Sequence, residues 1–257
     1  MNRDTFRQVI NLLAVVATIV VNGLANALPL NGQLTGEISD QFKVYFVPAG
    51  YVFSIWGLIY IGLIAFAVYQ MLPSQRENPR LRHIGYLFAL SCMANIVWLF
   101  LWHYELFIYT ITIMVALLGL LIAIYLRLEI GRAQVSAKEK WLVDIPFSIY
   151  LGWITVATIA NASDVLDYLK WSGWGIRPEF WAVIMLIAGV GIALAMSLTR
   201  SDIAYQLVIV WAFAGIAVKQ TAMPVVAQAA WIMAALVILV LIIGVLVRKR
   251  RQYQQPA

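Results

Sequence analysis

Residues 48–60 read PAGYVFSIWGLIY. Proline and glycine close a loop here, and proline's fixed φ suits the entry to a helix. From this point no charged residue occurs until Arg76, and the apolar run 51–72 has about the ~20 residues a membrane-spanning helix needs. Leu and Ile would suffice if lipid were the helix's only neighbour. Instead Phe53, Trp56 and Tyr60 recur three and four residues apart, which puts them on one helical face. What that aromatic face meets depends on the kind of chain around it.

Of 257 residues, 63% are hydrophobic and 12% charged, against roughly 45–50% and about 25% in soluble domains. With a mean hydropathy of +0.86, the chain reads as an integral membrane protein. Its one cysteine, Cys92, lies inside an apolar run, which excludes an internal disulfide and cysteine-rich metal sites. The net charge of +6 is carried by residues between the apolar segments. It therefore reads as bilayer orientation, and nucleic acid is not an expected partner.

The spacing predicts an all-α, polytopic membrane helix bundle of about eight spans, at approximately 9–28, 51–72, 83–104, 106–127, 141–163, 179–199, 203–222 and 224–247. The runs are continuous rather than alternating, so a β-barrel is not expected. If the N-terminus is cytoplasmic, the regions on that side hold 14 of the 18 Lys and Arg residues. The opposite side holds only Lys43, Lys170, Arg177 and Lys219, while acidic residues divide evenly. That bias predicts cytoplasmic N- and C-termini. The expected location is a bacterial cytoplasmic membrane. Arg3, Arg7 and the Ala-Asn-Ala of 25–27 also resemble a signal peptide, but the apolar run exceeds the usual 7–15-residue core, so a retained helix is expected. A seven-helix retinal protein would need a buried lysine. Lys219, near a span end, reads instead as a snorkelling residue.

Two further stripes accompany the first. Asn95, Trp98 and Trp102 share a face of the third segment, and Trp153, Ala157 and Asn161 a face of the fifth. At ~1.5 Å per residue, Trp56, Trp98 and Trp153 fall within roughly 15 Å of the same membrane face. The loop 29–50, with Gly32 and Gly36, is long enough to act as a lid over that end. Two readings of the stripes stand: a ligand pocket, or an aromatic belt with ordinary packing. The belt accounts readily for Tyr45, Trp171, Trp174 and Trp181.

These motifs resemble the TspO/MBR family of tryptophan-rich sensory, or translocator, proteins. Pro48-Ala49-Gly50-Tyr51-Val52-Phe53, then Trp56 and Tyr60, look like the family's second-helix motif. Asn95-Ile96-Val97-Trp98 matches its third-helix Asn-x-x-Trp, and Trp153 to Asn161, with Ala157-Thr158 between, keeps its fifth-helix spacing. The resemblance covers about 9–163, and helices six to eight have no counterpart in the usual five-helix members. It implies a TspO-like five-helix unit over 1–163, with three further helices and a basic tail over 164–257. It also implies a pocket beneath the first loop for a tetrapyrrole (porphyrin or haem) or a similar hydrophobic small molecule. The binding residues implied are Tyr51, Phe53, Trp56, Tyr60, Asn95, Trp98, Trp102, Trp153, Ala157 and Asn161.

No catalytic residue, metal ligand set or obligatory cofactor is expected. His83 adjoins a loop, and His103 beside Glu105 reads as a solvated interfacial histidine. Asp144 reads as an interfacial carboxylate placed to pair with Lys140. The small-residue stretches Ala188–Gly191 and Ala212–Gly215 permit close helix contact, with the five-helix unit or in a homodimer. The expected function is binding of a hydrophobic small molecule from within the lipid bilayer, with a sensory or regulatory outcome. A small-solute transporter using the same aromatic-lined cavity is the alternative.

Overall fold

The computed structural model describes the backbone of residues 3–254 and the side chains of residues 3–246. Among these, eight long helices run in the expected order: α1 (Arg3–Ala27), α2 (Ile55–Met71), α3 (Leu87–His103), α4 (Phe107–Arg127), α5 (Ile145–Tyr168), α6 (Pro178–Arg200), α7 (Ile203–Lys219) and α8 (Pro224–Gln254). Six of the described helical stretches are long and apolar enough to cross a membrane. The remaining two, α3 and α7, are apolar but have 17 residues each. The third segment is shorter than expected because Gly85, at φ +55, breaks a short helix Pro79–Ile84 from α3. That left-handed turn strains any residue with a Cβ.

Helix α1 turns its polar residues inward. Gln8, Asn11, Thr18 and Asn22 are buried, whereas Leu13, Val16, Val20 and Leu24 are exposed. Water is absent from hydrocarbon, so such groups must find partners within the protein. Asn11 Nδ2 donates to Gln70 Oε1 at 3.3 Å, and Gln70 Nε2 donates to the Gln8 carbonyl at 2.9 Å. Higher up, Asn22 Nδ2 donates to Asn95 Oδ1 at 2.9 Å. This ladder fixes α1 on α2 and α3.

At the end of the bundle bearing the N-terminus, Arg80 gathers three partners. It donates to Asp144 at 2.6 Å, to Glu139 at 2.9 Å and to the Leu128 carbonyl at 2.7 Å. Asp144 therefore pairs with Arg80 rather than Lys140, because the 79–84 helix packs beside α4 and Arg80 reaches Asp144 from the end of α4 at Leu128. Nearby, Asp202 caps α7 by accepting from Tyr205 N at 3.1 Å, and it also accepts from Tyr125 and Ser148 hydroxyls at 2.8 and 2.6 Å.

Side chains from all eight helices join one buried cluster, including Val15, Phe66, Cys92, Leu121, Trp153, Leu186, Phe213 and Val237. Helix α5 is the most enclosed span and continues past residue 163 to Tyr168. Helix α7 packs against α5, and α6 and α8 pack on α7 and on each other. The small-residue stretches serve this packing: a Cβ on Gly189 of α6 would lie 2.6 Å from the Phe213 ring of α7.

Candidate functional site

The segment that opens α2 is held by α7. Ala49 N donates to the Gly215 carbonyl at 3.1 Å, and Trp211 Nε1 donates to the Val52 carbonyl at 3.1 Å. A Cβ on Gly215 would lie 2.2 Å from Val52 Cγ2, so only glycine admits this approach. Residues 50–54 form a 3-10 turn, which then runs into α2 and aims Phe53 and Trp56 at α5. Trp153 receives both rings edge-on, at centroid distances of 5.7 and 6.2 Å. On α3, Trp98 stacks on Trp102 at 5.5 Å.

The first loop covers these rings. Its short helix Thr35–Ser39 places buried Ile38 against Trp102, Phe107 and Val165. Trp102 Nε1 donates to the Thr35 carbonyl at 3.1 Å, and Asn31 Nδ2 to the His103 carbonyl at 3.0 Å. His103 is wholly buried, contrary to the solvated role expected from its position at a helix end. The loop lies on top of it: Nδ1 meets the Leu99 carbonyl at 2.9 Å and Nε2 meets Thr35 Oγ1 at 3.3 Å. Lys219 pairs with Asp40 of the loop at 2.7 Å, and Gln220 Nε2 donates to the Tyr45 carbonyl at 3.1 Å. Helices α3 and α7 thus both fasten the cap.

Beneath the cap lies a cavity of about 50 Å³, lined by Thr35, Ser39, Phe53, Trp56, Trp98, Trp102, Met114, Trp153, Ala157, Asn161 and Asp164 among others. Seven of the ten residues expected from sequence line it: Phe53, Trp56, Trp98, Trp102, Trp153, Ala157 and Asn161. Three lie elsewhere. Tyr51 is half exposed and meets Trp211 edge-on at 5.5 Å, because the 3-10 turn rotates it towards α7. Tyr60 stacks on Trp56 one turn further from the cap. Asn95 is used up between helices, accepting from Asn22 and donating to Tyr150 at 3.3 Å.

Polar chemistry distinguishes this cavity. Seven buried side-chain atoms find no hydrogen-bond partner among the described residues. Four of them, Trp98 Nε1, Trp153 Nε1, Asn161 Oδ1 and Asp164 Oδ1, belong to cavity-lining residues. Asn161 is oriented by its other amide atom, which donates to Thr110 Oγ1 at 2.9 Å. Buried polar groups normally have partners, and each one left without costs about 1–3 kcal/mol. Two donors and two acceptors without partners thus belong to the lining of this aromatic cavity, strung from Trp153 to Asp164 along α5 and joined by Trp98 of α3. Asp164 was not among the residues expected from sequence. Sequence placed it just past the 141–163 run, and α5 takes it into the helix by continuing to Tyr168, one turn beyond Asn161 on the same face.

A larger groove of about 1340 Å³ opens on the bundle's flank between α2, α5, α7 and the 130–135 turn. Its walls are Leu58, Ile149, Leu207 and Trp211, and its buried carboxyls, Asp144 and Asp202, are already satisfied. Arg132, Gln134 and Lys140 line it as well, and it holds none of the unmet polar atoms of the capped cavity.

The fold and the site together define a polytopic helical membrane protein with an aromatic cavity closed by its first loop. The family model described as TSPO-like protein matches residues 8–243, so the chain belongs to the TSPO-like family. The match takes in the three C-terminal helices as well as the first five. Neither a curated protein nor a solved structure matches the chain significantly.

Proposed function

We propose that the capped cavity binds a hydrophobic, aromatic small molecule drawn from the bilayer, with tetrapyrroles as the first class to test and a sensory or regulatory outcome. The observation that carries this reading is that four buried polar atoms without partners, on Trp98, Trp153, Asn161 and Asp164, belong to the lining of a cavity walled also by Phe53, Trp56 and Trp102. Flat π-systems stack on or edge against such rings, and a ligand's polar substituents would satisfy the indole N–H groups and the amide. At about 50 Å³ the cavity is too small for drug-sized ligands, whose pockets occupy roughly 300–1,000 Å³. Binding therefore requires the cap to lift from α3 and α7. Both ring nitrogens of His103 are engaged, so an iron tetrapyrrole would be held by stacking rather than by axial ligation.

Binding is favoured over passage through the protein. Below Trp56 the interior is filled by Tyr150 and then by Phe66, Phe88 and Phe147, whose rings lie 4.9–5.8 Å apart. The proposed setting is a bacterial cytoplasmic membrane with both termini cytoplasmic, following the Lys and Arg distribution. A second copy of the chain is the proposed protein partner.

The test is quenching of tryptophan fluorescence by protoporphyrin in the purified protein, which retains nine of its ten tryptophans in a single Trp variant. Saturable quenching is expected, with Trp153→Leu and Asn161→Leu each weakening affinity about tenfold, near the lower end for lost buried contacts. Undiminished affinity in both variants would remove the cavity from the binding reaction.

A further inference from the structure

Asp164 is the odd member of the cavity wall. It is 3% exposed, lines the cavity with Asn161 one turn away, and has no hydrogen bond or ion pair among the described residues. Lys219, the cation that acts on it electrostatically, is itself paired with Asp40 at 2.7 Å, and nearby Asp167 adds a like charge. An ionised carboxyl withdrawn from water without a cation is costly, and lone buried carboxyls inside membrane spans are rare. Trp98 and Trp102 of α3 line the same cavity, as do Trp56 and Trp153 at its far end, Trp153 lying eleven residues back along α5 from Asp164.

From this the geometry points to an organic cation as the ligand: an aromatic or aliphatic ammonium whose N–H group binds Asp164 while its cationic head rests against the indoles. The chemistry is complementary on both counts. A carboxylate accepts a charge-assisted hydrogen bond from an ammonium, and indole faces attract cations within about 6 Å of the ring centroid. The unmet Asn161 oxygen offers a second acceptor for the same head group, and Trp98 and Trp153 N–H groups would take a ligand oxygen where one is present. This inference rests on reading the capped cavity as a small-molecule site, and it narrows the class towards amines and away from ligands whose anionic groups would enter beside Asp164.

The test compares benzylammonium with its neutral near-isostere benzyl alcohol, titrated into the full chain in nanodiscs of zwitterionic lipid. Tryptophan fluorescence is the readout, with empty nanodiscs subtracted for partitioning. The expected result is that the amine binds at least roughly tenfold tighter than the alcohol, since a hydrogen bond to a charged group is worth about an order of magnitude or more. Asp164→Asn should bring the amine down to the alcohol's affinity and leave the alcohol within about twofold, because the amide keeps the shape, removes the charge and turns one acceptor into an NH2 donor that an alcohol oxygen can still accept from. Equal binding of amine and alcohol to the wild type would overturn the inference while leaving the small-molecule site in place. So would a preference that survives Asp164→Asn. The wild-type comparison decides the matter even if the variant does not fold. If neither probe nor protoporphyrin binds, the site itself fails and the inference with it.

Discussion

Replacing Gly215 by alanine tests whether α7 belongs to the structure of the site or merely adjoins it. The new Cβ would sit 2.2 Å from Val52 Cγ2, 3.2 Å from Pro48 Cβ and 3.3 Å from Val52 Cβ, where ordinary contact begins at 3.4 Å. Either α7 or the 48–54 segment must therefore retreat by roughly 1.2 Å, on the scale of the overpacking that costs about 1–3 kcal/mol. Alanine recovers about 0.5–1 kcal/mol through its better helix propensity. The net loss is thus about 0–2.5 kcal/mol, centred on about 1, and at ~2–4 °C per kcal/mol a loss at that centre lowers Tm by about 2–4 °C. Thermal unfolding in detergent measures it, with Gly57→Ala as control: nothing lies within 4 Å of that position, so Tm should hold or rise. The double variant Val52→Ala with Gly215→Ala removes the opposing methyls, and its loss should be smaller than the sum of the single losses by about 1 kcal/mol. A Gly215→Ala protein that melts with the wild type would show that the contact between α7 and the wall of the cavity is not a packed one. Strict additivity in the double variant would show the same.

Asn95→Leu should lower stability by about 1–2 kcal/mol, because it orphans Tyr150 and weakens the hold on Asn22, yet leave protoporphyrin affinity unchanged. A loss of affinity without a loss of stability would return Asn95 to the binding residues. His103→Ala frees Thr35 and hollows the support beneath the cap, so trypsin should cleave at exposed Lys43 about 5–30-fold faster. An unchanged rate would mean that the loop is held by its other contacts alone.

Much of this protein was legible in its residues. Eight apolar runs gave eight helices in place, since the lack of water in a bilayer leaves a continuous apolar stretch few alternatives to a helix. The stripes on α2, α3 and α5 meet under the first loop because helix periodicity fixes which side chains share a face. Gly85 shows where that reading thins: a single left-handed turn shortens a span that hydropathy runs straight through.

What sequence could not provide were pairings between segments distant along the chain. Arg80 rather than Lys140 meets Asp144, Asn22 takes up Asn95, and Thr35 buries His103. Each pairing spans more than 60 positions and depends on how whole helices dock. The role of α7 is of the same kind: Gly215 reads as one more small residue in a greasy run until Val52 is seen against it. Periodicity specifies the faces a helix offers. Only the packed bundle decides which face meets which, and so which polar atoms, Asp164 among them, are left without a partner.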